Sequence, residues 1–176
     1  MTDQTADDDY LWARRHEVLY QVRLSALYHR KRERFLSFWD RAITAIAIIG
    51  GSAAFGGVGG PDLARYAAAG IAITSTFGLV FALAERARLH SEMARQFINL
   101  EARIRRQGER TFTEEQVADW RAEVTELEAS EPPALGALVL ACQNELAQAA
   151  GEAGHIRRLS WWRRLTMHFT DYRVPA

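Results

Sequence analysis

Charged side chains vanish between Arg41 and Glu85, apart from Asp62 and Arg65, and that gap organises the chain. Ala42 to Pro61 is 20 residues without a charge, and Tyr66 to Ala84 is another 19. A bilayer's hydrocarbon core takes about 20 residues of helix, so each run has the length of a crossing. Only "DLAR" separates them, which leaves room for a tight turn. Gly59, Gly60 and Pro61 can end the first helix, and proline can open the second because its missing N–H costs nothing there. The pattern predicts a helical hairpin with spans at about 42–60 and 64–84.

Helical periodicity continues on both sides. Residues 10–41 contain no Pro or Gly and read as one helix entering the first span without a break, with Phe38 and Trp39 at the membrane interface. After the second span, Leu89, Met93, Phe97, Leu100 and Ile104 form an apolar stripe at spacings of 4, 4, 3 and 4. The two extensions are expected to pack together as a cytoplasmic stalk. Beyond Gly108, Thr113 and Gln116 have the spacing of a capping box, ahead of Val117, Trp120, Val124 and Leu127 on a short amphipathic helix stopped by Pro132 and Pro133. "ALGALVLACQNELAQAA" reads as a further helix, too short to span. A last helix is expected over "HIRRLSWWRRLTMHF". The fold class is thus an all-α membrane protein: a two-transmembrane helical hairpin with long cytoplasmic helical extensions and a C-terminal helical tail. Its divisions are an acidic, disordered 1–9, a two-span domain over 10–110 and a helical tail over 111–176.

Charge sharpens the picture. The net charge is zero, but it is segregated: −4 over 1–9, +5 over 10–41, +3 over 85–110, −8 over 111–154 and +4 over 155–176. Arg34 and Arg41 precede the first span, Arg86 and Arg88 follow the second, and the tip holds Arg65 offset by Asp62. Positive residues stay cytoplasmic, so both termini are expected inside and the tip outside, in a bacterial inner membrane. The basic C-terminal helix, with Trp161 and Trp162, has two readings. It either lies on anionic headgroups or docks against the acidic 111–154 segment. The acidic, polar start argues against a cleavable signal peptide.

The glycines of "AITAIAIIGGSAAFGGVGG" invite a phosphate-loop reading, but no frame gives G-x-G-x-x-G, and the stretch lacks the P-loop lysine. They read instead as close-packing positions. Gly50, Gly51, Ser52, Gly56 and Gly57 lie on the first helix, and Gly70, Thr74, Gly78 and Ala82 recur every four residues on the second, beside the row Ala68, Ala72 and Thr76. Small-xxx-small rows let helices approach closely in lipid. The rows serve either packing within one hairpin or packing between protomers around a lumen, where Ser52, Thr74, Ser75 and Thr76 would offer hydroxyls to water.

Catalytic chemistry has no visible foothold. "HEVLY" starts like H-E-x-x-H, but Tyr20 stands where the second histidine belongs. His29, among Arg30, Lys31 and Arg32, reads as a solvated or interfacial side chain, and the lone Cys142 as a small buried apolar residue. No enzyme activity, metal or cofactor is expected, and the arginines beside Trp and Phe favour headgroups over nucleic acid.

Residues 18–106 resemble the SMODS- and SLOG-associating two-transmembrane effectors, the SLATT family. The likeness rests on Tyr28, His29, Arg32 and Glu33 ahead of the first span, and on His90, Ala94, Phe97 and Leu100 after the second. It implies a homo-oligomeric, pore-forming effector of bacterial antiphage conflict, without catalysis of its own. Its partners would be the bilayer, further copies of itself, and a nucleotide-signal sensor, synthase or other defence component. No fused sensor domain is seen, so the 111–176 tail would receive the signal or hold the pore shut. A non-conducting membrane adaptor, a soluble helical bundle, and a phage holin or superinfection-exclusion protein are the alternatives.

Overall fold

The computed structural model describes residues 2–55, 60–109 and 111–170, with the side chains of 2–8, 53, 54 and 153 excepted. Every regular element among the described residues is a helix, and none is a strand: α1 (Thr2–Phe55), α2 (Gly60–Val80), α3 (Leu83–Arg106), α4 (Glu114–Ala129), α5 (Gly136–Ala150), a 3-10 turn (Ala153–His155) and α6 (Trp161–Thr166). The chain divides into two compact units, Met1–Arg30 with Ser91–Ala176, and Lys31–His90.

In the first unit, three helices bury one stripe each. Val18, Leu19, Val22 and Ala26 of α1 meet Phe97, Leu100 and Ile104 of α3 and Val117, Trp120 and Val124 of α4. Spacings of three and four keep each set on one helical face, and removing these side chains from water supplies the unit's main stabilisation. Glu101 on α3 takes Arg23 of α1 at 2.8 Å and Arg105 at 2.7 Å beside this core. The capping box of α4 is formed as expected: the Gln116 N–H donates to Thr113 Oγ1, and the Thr113 N–H donates to the Gln116 side chain. Cys142 is fully buried on α5 as expected, packed with Tyr28 and Leu138.

Three expectations need correction. Leu89 is exposed, although Met93, Phe97, Leu100 and Ile104 are buried. Each four-residue step turns about 40° beyond a full helical turn, so two such steps carry Leu89 off the face that Phe97 occupies. The C-terminal helix is far shorter than 155–169. Ser160 caps α6 by accepting from the Arg163 N–H, and Asn144 holds Arg157 through two backbone bonds of 2.7 and 2.9 Å, keeping the segment between them non-helical. Finally, α1 starts at Thr2, inside the leader expected to be disordered. Extending an existing helix is far cheaper than nucleating one, and acidic residues suit its N-terminal end.

In the second unit, Leu36 packs with Leu83 and Ala87, flanked by Phe35 and Ile43. Gly60 starts α2 at a φ of +78°, which suits glycine, and Pro61 follows in the first turn.

Candidate functional site: the apolar hairpin and the family-motif positions

The stretch Gly60–Arg106, α2 continued through a turn at 81–82 into α3, is long and apolar enough to cross a membrane; its most apolar 18 residues have a mean hydropathy of 1.9 and are 6 % buried. No residue of α2 is fully buried, and Ile73, Leu79 and Val80 are each at least 70 % exposed. A contiguous exposed apolar surface of this kind is the mark of an interaction site for protein or membrane. The expected first span, 42–60, includes residues 56–59, so Gly56 and Gly57 lie outside the described residues.

The two rows of small residues on α2 face differently. Gly70, Thr74 and Gly78 are half-buried, and a methyl added at Gly78 would meet Ile43 of α1 at 3.5 Å. A methyl at Gly50 would come within 3.1 Å of Ile71, whereas Gly51 and Gly70 have open space. Gly50 and Gly78 therefore border the α1–α2 seam, and Gly70 does not. Ala68, Ala72 and Thr76 are exposed, as is Ser52. Hydroxyls on α2 already have partners: Thr74 donates to the Gly70 carbonyl at 2.8 Å and Thr76 to the Ala72 carbonyl at 2.7 Å. Bonding back to the helix's own carbonyls satisfies such groups without water.

Ala82 closes the four-residue row in sequence but stands in the turn between α2 and α3, at a φ of +46°. The Ala82 N–H donates to the Leu79 carbonyl at 3.2 Å, so the α-helical ladder stops there and resumes where the Arg86 N–H reaches the Ala82 carbonyl at 3.0 Å. Among the expected interfacial residues, Arg34, Trp39, Arg41, Arg86 and Arg88 are all exposed, and Trp39 meets Phe38 edge-on at 5.7 Å. A surface hollow of about 390 Å³ along Glu33, Arg34, Ser37, Phe38, Arg41 and Ala42 is walled by α1 alone.

The family-motif positions depart most from their sequence reading. His29, expected solvated, is completely buried. It lies on the α1 face that carries Val18, Val22 and Ala26, so periodicity outweighs the neighbouring cations. Its Nε2 sits 2.9 Å from Glu131 Oε1, in the link between α4 and α5, and its ring stacks on Phe97 at 5.8 Å. Next to it, the buried Tyr28 hydroxyl accepts the Leu135 N–H at 3.1 Å. Two adjacent residues of α1 thus fasten both ends of the 131–135 link, a contact that residue spacing alone did not disclose. Arg32 lies over the Phe35 ring at 6.0 Å, Glu33 accepts from Ser37, and His90 is buried.

No family model, curated protein or solved structure matches the chain. Among the described residues, no group of three His, Cys, Asp or Glu side chains converges as a metal site would.

The C-terminal segment packs on α5, with Met167 beside the Tyr28, Leu138 and Cys142 cluster. Trp161 and Trp162 stack at 4.3 Å yet remain 66 and 57 % exposed. The segment thus docks on the 111–154 stretch through Met167 and Asn144, while Arg157, Arg158 and Arg164 form no ion pair among the described residues.

Proposed function

We propose that this chain is a homo-oligomeric effector that permeabilises the bacterial inner membrane in an antiphage system, gated through its cytoplasmic helices. In this reading the protein crosses the bilayer twice, at about 42–60 and 64–84, with both termini in the cytoplasm. The observation that carries it is α2, an apolar helix of 21 residues with none buried, which lipid or further copies must cover. The likeness of Tyr28, His29, Arg32, Glu33 and His90 to the SLATT motif supports the same assignment. Partners are then the bilayer, other protomers and a nucleotide-signal sensor or synthase; neither a cofactor nor nucleic acid is required. Inducing the protein in bacteria with its genomic neighbours and following a potential-sensitive dye tests the idea directly. Rapid depolarisation on phage challenge is expected, and an unchanged potential would sink it.

One observation favours a second reading, a non-conducting membrane adaptor: the Thr74 and Thr76 hydroxyls are satisfied by their own helix and offer water little. An adaptor would keep its activity when both spans are replaced by unrelated leucine-rich helices, and a channel would lose it.

A further inference from the structure

The tail from Arg157 to Leu165 presents two exposed indoles, the exposed Leu165 and three exposed arginines that no carboxylate of the described chain pairs. Its position is fixed rather than frayed: Asn144 grips Arg157 and Met167 is seated on the α5 cluster. A fixed surface of stacked aromatics and arginines is the composition of an interface core. Elsewhere in the same unit, α4 shows the opposite surface. Glu115, Asp119 and Glu126, at spacings of four and seven, share the helix face opposite Val117, Trp120 and Val124, and all three are exposed. None of the three forms an ion pair among the described residues, although Glu123 on the same helix pairs with Arg103.

From this complementarity we infer that the aromatic–arginine tail of one protomer docks on the acidic face of α4 of the next. An anionic bilayer would accept the tail but repel the acidic face of α4, whereas a second copy satisfies both surfaces at once. The contact joins two different patches, so it is heterologous and can repeat from protomer to protomer until a ring closes. This inference rests on the homo-oligomeric reading above and names its cytoplasmic interface.

The test is a charge swap in the full-length protein, sized by mass photometry in mild detergent. R157E/R158E/R164E and E115K/D119K/E126K should each weaken assembly at least about tenfold, and the six-fold combination should restore it. Raising NaCl from about 0.05 to about 0.5 M should weaken the wild-type assembly in the same direction. Because all six positions are exposed, circular dichroism should show unchanged helix content in every variant. Full assembly of either triple variant, or no recovery in the combined one, overturns the contact. As a second measurement, W161C protein mixed with D119C protein should form an intermolecular disulfide that neither forms alone; its absence also overturns the contact. Quenching of Trp161 and Trp162 by brominated anionic lipid in nanodiscs would assign the tail to the membrane instead. Assembly and conductance are read separately, so an intact ring that fails to depolarise cells refutes the channel and leaves this interface standing.

Discussion

His29 and Tyr28 each make a hydrogen bond to the 131–135 link whose loss has local, measurable consequences. Tyr28→Phe keeps the ring in place but leaves the Leu135 N–H without its acceptor, at a cost of about 1 kcal/mol, so amide exchange across 131–136 should accelerate about fivefold. His29→Ala removes a fully buried ring together with the Glu131 contact and should cost about 2–4 kcal/mol, read as a lower melting temperature in detergent. Equal exchange in wild type and Tyr28→Phe would mean that the 131–135 link is held by other contacts. Glu101 brings pH into the same unit. Burial works to raise its pKa, but the hydrogen bonds from Arg23 and Arg105 outweigh that, and the carboxyl titrates below its ordinary range. A carboxyl whose folded pKa is depressed contributes stability above its unfolded value of about 4, and that contribution is lost as pH falls through the folded value. Glu101→Gln should therefore cost about 1 kcal/mol at neutral pH and flatten the acid limb of the stability curve. An unchanged acid limb in the variant would show that other carboxylates govern it.

Among the elements, the joint between α2 and α3 concentrates the most strain. A left-handed alanine at position 82 costs roughly 1–2 kcal/mol relative to a right-handed one, and a break in an apolar helix also frees backbone groups that need partners. Ala82→Gly should remove most of that cost and raise the melting temperature. Ala82→Val, branched at Cβ, should lower it, because the left-handed conformation is worst for such residues. If valine is tolerated as well as glycine, the joint is helical in the assembled protein and the turn belongs to the isolated chain. This joint also marks the limit of what periodicity discloses. Gly70, Thr74, Gly78 and Ala82 keep a four-residue spacing in the chain, yet the row ends at Gly78, because a turn without Gly or Pro leaves no mark in the sequence. The core stripes of α3 and α4 were legible, since burial against neighbouring helices enforces spacings of three and four. So was the capping box, whose two side chains lie three residues apart and depend on nothing distant. The tail was not: its helix is cut by Asn144, and a partner 13 residues away leaves no local trace.

For the molecule as a whole, the helical content and the long apolar stretch that becomes α2 were readable from residue order. The surroundings of His29 were not, because Glu131 and Phe97 reach it across 102 and 68 residues of chain and the cations beside it in sequence point the other way. The same separation applies to the proposed membrane topology, which depends on charge rather than on contacts. Arginines flank both ends of the hairpin, while Arg65 at the tip lies 4.0 Å from Asp62, so little net positive charge has to be translocated. Leu63 is exposed at this tip and Ala118 is exposed on α4, which makes them a pair of reporters for the two sides. The only native thiol, Cys142, is fully buried and gives a low background. In intact spheroplasts, a membrane-impermeant maleimide should label Leu63→Cys within minutes and leave Ala118→Cys untouched until the cells are lysed. Labelling of Ala118→Cys alone would invert the topology and place the acidic face of α4 outside. Protection of both until lysis would put the tip in the cytoplasm, and the apolar α2 would then need a protein cover instead of lipid.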